Sequence, residues 1–161
     1  NQIGVNGAQS LATSLNLKNL ETLFLDSNPI GPEGAEALAR SKCLPSLTAL
    51  HMDSTGIGDQ GVKAIAASQT LSKIKKLYLC SNKIGDEGAI ALSQSPNLSH
   101  LTCLSIWRNE IRDAGGKAIA ESNHFLKLER LYMSLNLIEK PTRKLIRASD
   151  MASRLKTLVM D

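Results

Sequence analysis

Three side chains in this sequence could do covalent chemistry together: His51 as a base, Asp53 as the carboxylate that orients it, and Cys80 as a thiol nucleophile. A second thiol, Cys103, adds the options of a disulfide or, with the same trio, a metal site. Lys73, Lys75 and Lys76 stand close to Tyr78, and Arg108 follows Trp107, a mixture of cations and rings suited to single-stranded nucleic acid. Each chemistry needs its groups within bonding or stacking reach, so the elements that carry them decide among the three.

Those elements are written as a repeat. Asn1, Asn28, Thr55, Asn82, Asn109 and Asn136 lie 27 residues apart without an insertion. Each is followed two places on by isoleucine (Ile3, Ile30, Ile57, Ile84, Ile111, Ile138) and thirteen places on by serine (Ser14, Ser41, Ser68, Ser95, Ser122, Ser149). Ahead of the later members runs L-x-x-L-x-L-x-x-N-x-I, as in Leu20, Leu23, Leu25, Asn28 and Ile30. The L-x-L pair has period two, which turns Leu23 and Leu25 to a core and Thr22, Phe24 and Asp26 to the opposite face of a short strand. The asparagine can satisfy backbone groups in the tight turn that follows, and Thr55 interrupts that column once. Gly34 to Ser41 then reads as a helix, begun by Pro32 in one repeat and N-capped in three others by Asp59, Asp86 and Asp113. Its small inner residues Gly34, Ala35 and Ala39 predict a close approach to the sheet.

A strand-turn-helix unit of this size cannot bury its leucines alone, so the units are expected to stack into an α/β solenoid, with a parallel sheet on the concave side and helices on the convex side. The columns resemble the leucine-rich repeats of the ribonuclease-inhibitor class, whose N-x-I-G-x-x-G-A-x-x-L-A-x-S half stands here nearly intact. The uniform repeat with G-A-x-A-L/I-A-x-S is most similar to leucine-rich-repeat effectors of intracellular bacterial pathogens, and repeats of NOD-like receptors are similar too. The resemblance implies a horseshoe, a non-enzymatic protein-binding role, and a partner, such as an enzyme or another effector, that binding blocks; a receptor-type sensor fragment is the alternative it leaves.

One domain spans 1–161, with repeats anchored at 1, 28, 55, 82, 109 and 136. Asn1 stands in mid-repeat, so the sequence is expected to be a piece of a longer chain. Residues 136–161 are expected near the end of the stack, because Thr142, Arg143 and Arg147 replace small inner residues.

The register of such a stack bears on the chemistry. It sets Cys80 beside Asp53 and His51 beside Tyr78, leaving His51 and Cys80 on a diagonal of about 7 Å at their β-carbons. That is too long for a direct hydrogen bond to activate the thiol, and no oxyanion hole is near. Cys103 is four positions off register from Cys80, about 14 Å away, beyond disulfide or shared-metal reach. Neither a catalytic residue, a metal nor a cofactor is therefore expected.

Composition narrows the rest. Of 161 residues 42% are apolar and twenty-five are leucine, yet no apolar run reaches the roughly 18 residues of a membrane span. Three cysteines at uneven spacing (Cys43, Cys80, Cys103) point to a reducing compartment such as the cytosol and, through the effector resemblance, to delivery into a host cytoplasm. Residues 1 to 135 hold 13 basic against 12 acidic side chains and the last 26 hold 6 against 3, so the net charge of +4 is concentrated at the C-terminal end. With Asp26 and Asp53 in the groove, this is not the charge pattern of a phosphate-binding stripe, and nucleic acid is the weaker partner class.

What remains is the open sheet face. Its central column is Phe24, His51, Tyr78, Ser105 and Tyr132; the next is Asp26, Asp53, Cys80 and Trp107; the preceding one includes Lys76 and Arg130, and Arg108 follows in the loop. Four of the chain's five aromatics stand there, with only Phe125 in a core column. Tyr, Trp and Arg are the side chains that most often anchor protein interfaces. These twelve residues are the expected contacts, in a groove grading from acidic to basic, for a protein partner rather than a small molecule or a membrane. Six short strands offer only roughly 500 Å2, less than the ~800 Å2 per partner of a standard interface. The loop after each strand (Ser27, Ser54, Ser81, Arg108, Leu135) is the nearest additional surface.

Overall fold

The computed structural model describes residues 1–161, in which six parallel strands lie side by side in sequence order. They are β1 (Thr22–Phe24), β2 (Ala49–His51), β3 (Lys76–Tyr78), β4 (Cys103–Ser105), β5 (Arg130–Tyr132) and β6 (Thr157–Val159). The helices are α1 (Val5–Thr13), α2 (Gly31–Ala39), α3 (Gly58–Ala67), α4 (Asp86–Ser93), α5 (Asp113–Ala120), α6 (Lys140–Arg147) and α7 (Asp150–Arg154), with single 3-10 turns at Leu15–Leu17 and Pro96–Leu98. The strand pairing keeps the sequence period without a slip: Phe24 pairs with His51, His51 with Tyr78, Tyr78 with Ser105, and Ser105 with Tyr132. The α/β leucine-rich-repeat solenoid is the observed architecture. Helix α2 starts three residues before Gly34 and ends before Ser41, and α7 begins at the repeat position of the two 3-10 turns and runs two residues longer.

The core runs as one layer between sheet and helices. Leu50, Leu77, Leu104 and Leu131 enter it from the strands, Ile30, Ile57, Ile84 and Ile111 from the turns, and Phe125 fills it near the C-terminal end. The small helix residues serve a contact different from the expected one. A β-carbon on Gly61 would fall 2.6 Å from the Ile57 side chain and 3.0 Å from Ala35 of the preceding helix, so the glycine sets the approach of helix to helix as well as to its own turn.

Hydrogen bonds sew each repeat to the next. Asn109 Nδ2 donates to the Leu79 and Ile106 carbonyls, at 3.0 Å each, while its Oδ1 accepts from the amides of Asn82 and Ile84. The serine column works at the other end of the unit: Ser41, Ser68, Ser95 and Ser122 donate to the carbonyls of Ala12, Ala39, Ala66 and Ser93, at 2.5–2.6 Å, satisfying C-terminal carbonyls of the preceding helix.

The aspartates do not cap their own helices, contrary to the expectation from sequence. Asp59 Oδ1 accepts from the amides of Gly85 (2.8 Å) and Gly88 (2.9 Å), Asp86 Oδ1 from Arg112 and Gly115, and Asp113 Oδ1 from Glu139, so each caps the helix of the following repeat. From α2 to α6 the backbone before each helix divides by whether this bond is present. Gly85, Arg112 and Glu139, whose amides donate it, precede α4, α5 and α6 in extended conformation. Gly31 and Gly58, whose preceding repeats offer Val5 and Pro32 in place of aspartate, turn to φ +68° and +55° instead. Glycine is required at those two positions for its access to positive φ.

Candidate functional site

The strands carry their exposed side chains as three columns, and the central one forms a stack. Phe24 and His51 have ring centroids 4.1 Å apart, and His51 and Tyr78 4.2 Å apart at an interplanar angle of 14°. In-register parallel strands run about 4.8 Å apart, which is close to the thickness of a stacked ring pair, so the sheet spacing itself imposes the ladder. The rings therefore cover one another's faces and present mainly edges to the groove. Phe24, at the end of the ladder, is 65% exposed. The ladder stops at Ser105, which has no ring, and Tyr132 stands alone beyond it.

Electrostatics follow from burial. Tyr78 is pushed up to about 12, chiefly by desolvation and then by its hydrogen bond with the Cys103 thiol, whose sulfur lies 3.8 Å from the phenol oxygen. The phenol is thus a neutral group. Arg130, in the column of Cys103, has its already high value raised by that same thiol.

Four of the twelve expected contacts have a structural role. Asp26 Oδ1 accepts the Asp53 amide at 2.8 Å, and Asp53 Oδ1 accepts the Cys80 amide at 2.7 Å, so these carboxylates join neighbouring strands along the groove. Cys80 and Ser105 lie on the concave side but are 8% and 6% exposed, and their Sγ and Oγ are 3.0 Å apart. Burial pushes the Cys80 thiol up, the opposite of an activated nucleophile. His51 stacks on its aromatic neighbours, and Asp53 bonds the Cys80 backbone; the trio shares a face without forming a relay. All three cysteines are free. No group of three or more His, Cys, Asp and Glu side chains is placed to hold a metal ion, and no helix is long and apolar enough to cross a membrane.

Of the twelve only Cys80 and Ser105 are buried; Phe24, Asp26, His51, Asp53, Lys76, Tyr78, Trp107, Arg108, Arg130 and Tyr132 remain accessible in whole or part. Beside them runs a rim that the sequence only half revealed. Ser27, Ser54, Ser81, Arg108 and Leu135 all have φ between 53° and 59°, left-handed backbone that non-glycine residues seldom adopt. The turn imposes it: the amides of Ser27, Ser54, Ser81 and Arg108 donate to Asp53, Cys80, Trp107 and Ser134 carbonyls of the next repeat, at 2.8–3.0 Å. A second rim column, two residues on, reads Pro29, Gly56, Lys83, Glu110 and Leu137. Leu137, 48% exposed, escaped the sequence reading. The signal was there, since leucine is the odd member of its column.

The leucine rich repeat family model matches four stretches of the chain, residues 14–39, 43–66, 70–93 and 97–120. No curated protein sequence matches it. Among solved structures, an internalin from Listeria monocytogenes superposes with a TM-score of 0.57 at 21% identity, over 95% of this chain and 45% of that one. The chain thus spans less than half of that protein's length, and the likeness is one of fold.

Proposed function

This chain belongs to the leucine-rich repeat family, and from that premise we propose that it is a protein-binding module whose partner enters the concave face. The observation that carries the reading is the Phe24–His51–Tyr78 ladder, a pre-stacked apolar strip on the open face with its first ring largely in water. Exposed rings on a rigid sheet offer contact area at low conformational cost, which favours tight association. The stacking also weighs against nucleic acid. Bases stack on ring faces, and within the ladder both faces of His51 and the inner faces of Phe24 and Tyr78 are turned to neighbouring rings, whereas a protein side chain can pack against ring edges.

The finer reading is inhibitory: a module of bacterial effector type, acting in a reducing cytosol, that covers the working surface of an enzyme or signalling protein. It is supported by analogy of repeat type and by three free cysteines. The test is affinity capture from cell lysate with the native chain beside a Phe24→Ala, Tyr78→Ala variant of unchanged circular dichroism, after nuclease treatment. A protein held by the native chain and lost by the variant supports the reading, and assays of that protein's activity then address inhibition. Equal capture by both, or material that disappears with nuclease, refutes it.

A further inference from the structure

We propose that the rim of the last two repeats is a second contact surface, which takes an extended protein segment bearing apolar side chains next to a carboxylate. The inference rests on the protein-binding reading but concerns a different surface. Its first support is composition by column. After Ser27, Ser54, Ser81 and Arg108 the first rim column ends in Leu135, and after Pro29, Gly56, Lys83 and Glu110 the second ends in Leu137, the one large apolar side chain of its column as Leu135 is of its own.

Leu135 is 54% exposed at φ +53°, so a large apolar side chain stands in water on backbone that disfavours it. Serine satisfies the same turn three times over, and the fold does not explain the leucine. Trp107, 38% exposed, adjoins this pair: the Arg108 amide bonds the Ser134 carbonyl at 2.9 Å, which sets Trp107 and Arg108 alongside Ser134 and Leu135. The result is that three exposed apolar side chains, Trp107, Leu135 and Leu137, stand at one edge of the concave face.

Charge selects the occupant. Arg108 lies within the patch, with Lys83 and Arg112 on its flanks, and all three are exposed. The chain's ion pairs, Arg40 with Glu36, Lys63 with Glu87 and Lys156 with Glu129, lie elsewhere, so none of these cations has a carboxylate partner. Glu110 and Glu139 share the rim without pairing to them, and Arg130 adds a cation on the concave side. An acidic, apolar segment fits this surface, while a basic one meets Arg108 at its centre. The rim also supplies area that strands of three residues cannot.

The chain has one tryptophan, and it sits in the patch, so its emission reports occupancy directly. The experiment selects short random peptides displayed on phage against the whole chain and titrates the enriched peptides while reading Trp107 fluorescence. Leu135→Ser, Leu137→Gly is the matched variant, because both replacements already occur in these columns and keep the turn. The expected result is peptides rich in Asp or Glu beside apolar residues, a blue shift on binding, and at least about tenfold weaker binding to the variant. Peptides that are basic, that bind the variant equally, or that fail to enrich would overturn the proposal. So would a Trp107 shift that depends on the chain's own concentration, which would assign the patch to a second copy. Peptides that still bind Phe24→Ala, Tyr78→Ala would leave the rim intact even if concave capture fails.

Discussion

Asp59 and Gly88, in consecutive repeats, are fitted to one another: Asp59 Oδ1 lies 2.9 Å from the Gly88 amide and only 2.5 Å from where a β-carbon on Gly88 would stand. The cap and the missing side chain are one device. Asp59→Ala should lower stability by about 1 kcal/mol, the usual cost of a lost N-cap. Gly88→Ala should cost about 1–3 kcal/mol by overpacking, since it also meets Ile84 Cγ2 at 2.8 Å. Denaturant titration of both singles and the double should show the Gly88→Ala penalty shrinking in the Asp59→Ala background. Strict additivity would mean that the two residues do not share one constraint.

Thr55 marks the weakest step of the asparagine ladder. Its Oγ1 donates to the Met52 carbonyl at 2.7 Å but does not reach the repeat before it, and the Ile30 amide turns to Asn28 O in its own turn instead. In other repeats that reach exists: Asn136 donates to Ile106 O and accepts from the Ile111 amide. Thr55→Asn should therefore stabilise the chain by about 1 kcal/mol and slow hydrogen exchange at Ile30. A lower midpoint would show that the threonine is better matched to the turn than its neighbours suggest.

Thiol chemistry should follow depth. Cys43 is half-buried, whereas Cys80 and Cys103 are buried and burial holds the Cys80 thiol protonated. Alkylation of the native protein should modify Cys43 first, with the other two reacting only on unfolding. Mass spectrometry of partially labelled protein checks this, and early labelling of Cys80 would contradict the packing around Ser105.

Tyr78 supplies a pH dependence whose sign is fixed. Its folded value of about 12 lies above the ordinary 10.0, so the folded state holds the proton more tightly. The contribution to stability is complete below pH 10 and is lost as the pH rises towards 12. In a Tyr132→Phe background, phenolate absorbance should appear at higher pH in the folded than in the unfolded chain. Coincident titrations would remove the burial argument.

The columns made the sheet register legible: once Phe24, His51 and Tyr78 stood 27 residues apart, their pairing followed. Period two told which face a side chain takes but not its depth there. Cys80 and Ser105 are short enough to sink among longer neighbours, and that depends on all the side chains around them. The direction of the aspartate caps was hidden for another reason. A carboxylate one residue into a helix reads as that helix's own cap, and only the stacked structure shows that the next repeat's amides, 26 and 29 positions on, are nearer. Leu137 is a third kind of miss, since it lies past the turn, where no period-two rule applies.

The forward-reaching aspartates also bear on how such a chain can change length by recombination. Each junction is encoded half in one unit and half in the next, an acceptor at Asp59, Asp86 or Asp113 and a helix start shaped to receive it. A crossover that duplicates or deletes a whole unit among these three joins matching halves and leaves every amide an acceptor. One that joins the Pro32 unit to a helix start of the Gly85 kind leaves two amides without one, while the Gly58 kind of start, with its left-handed glycine, needs none. Copy number should therefore drift most freely among the units carrying Asp59, Asp86 and Asp113, with the unit carrying Pro32 acting as a fixed boundary.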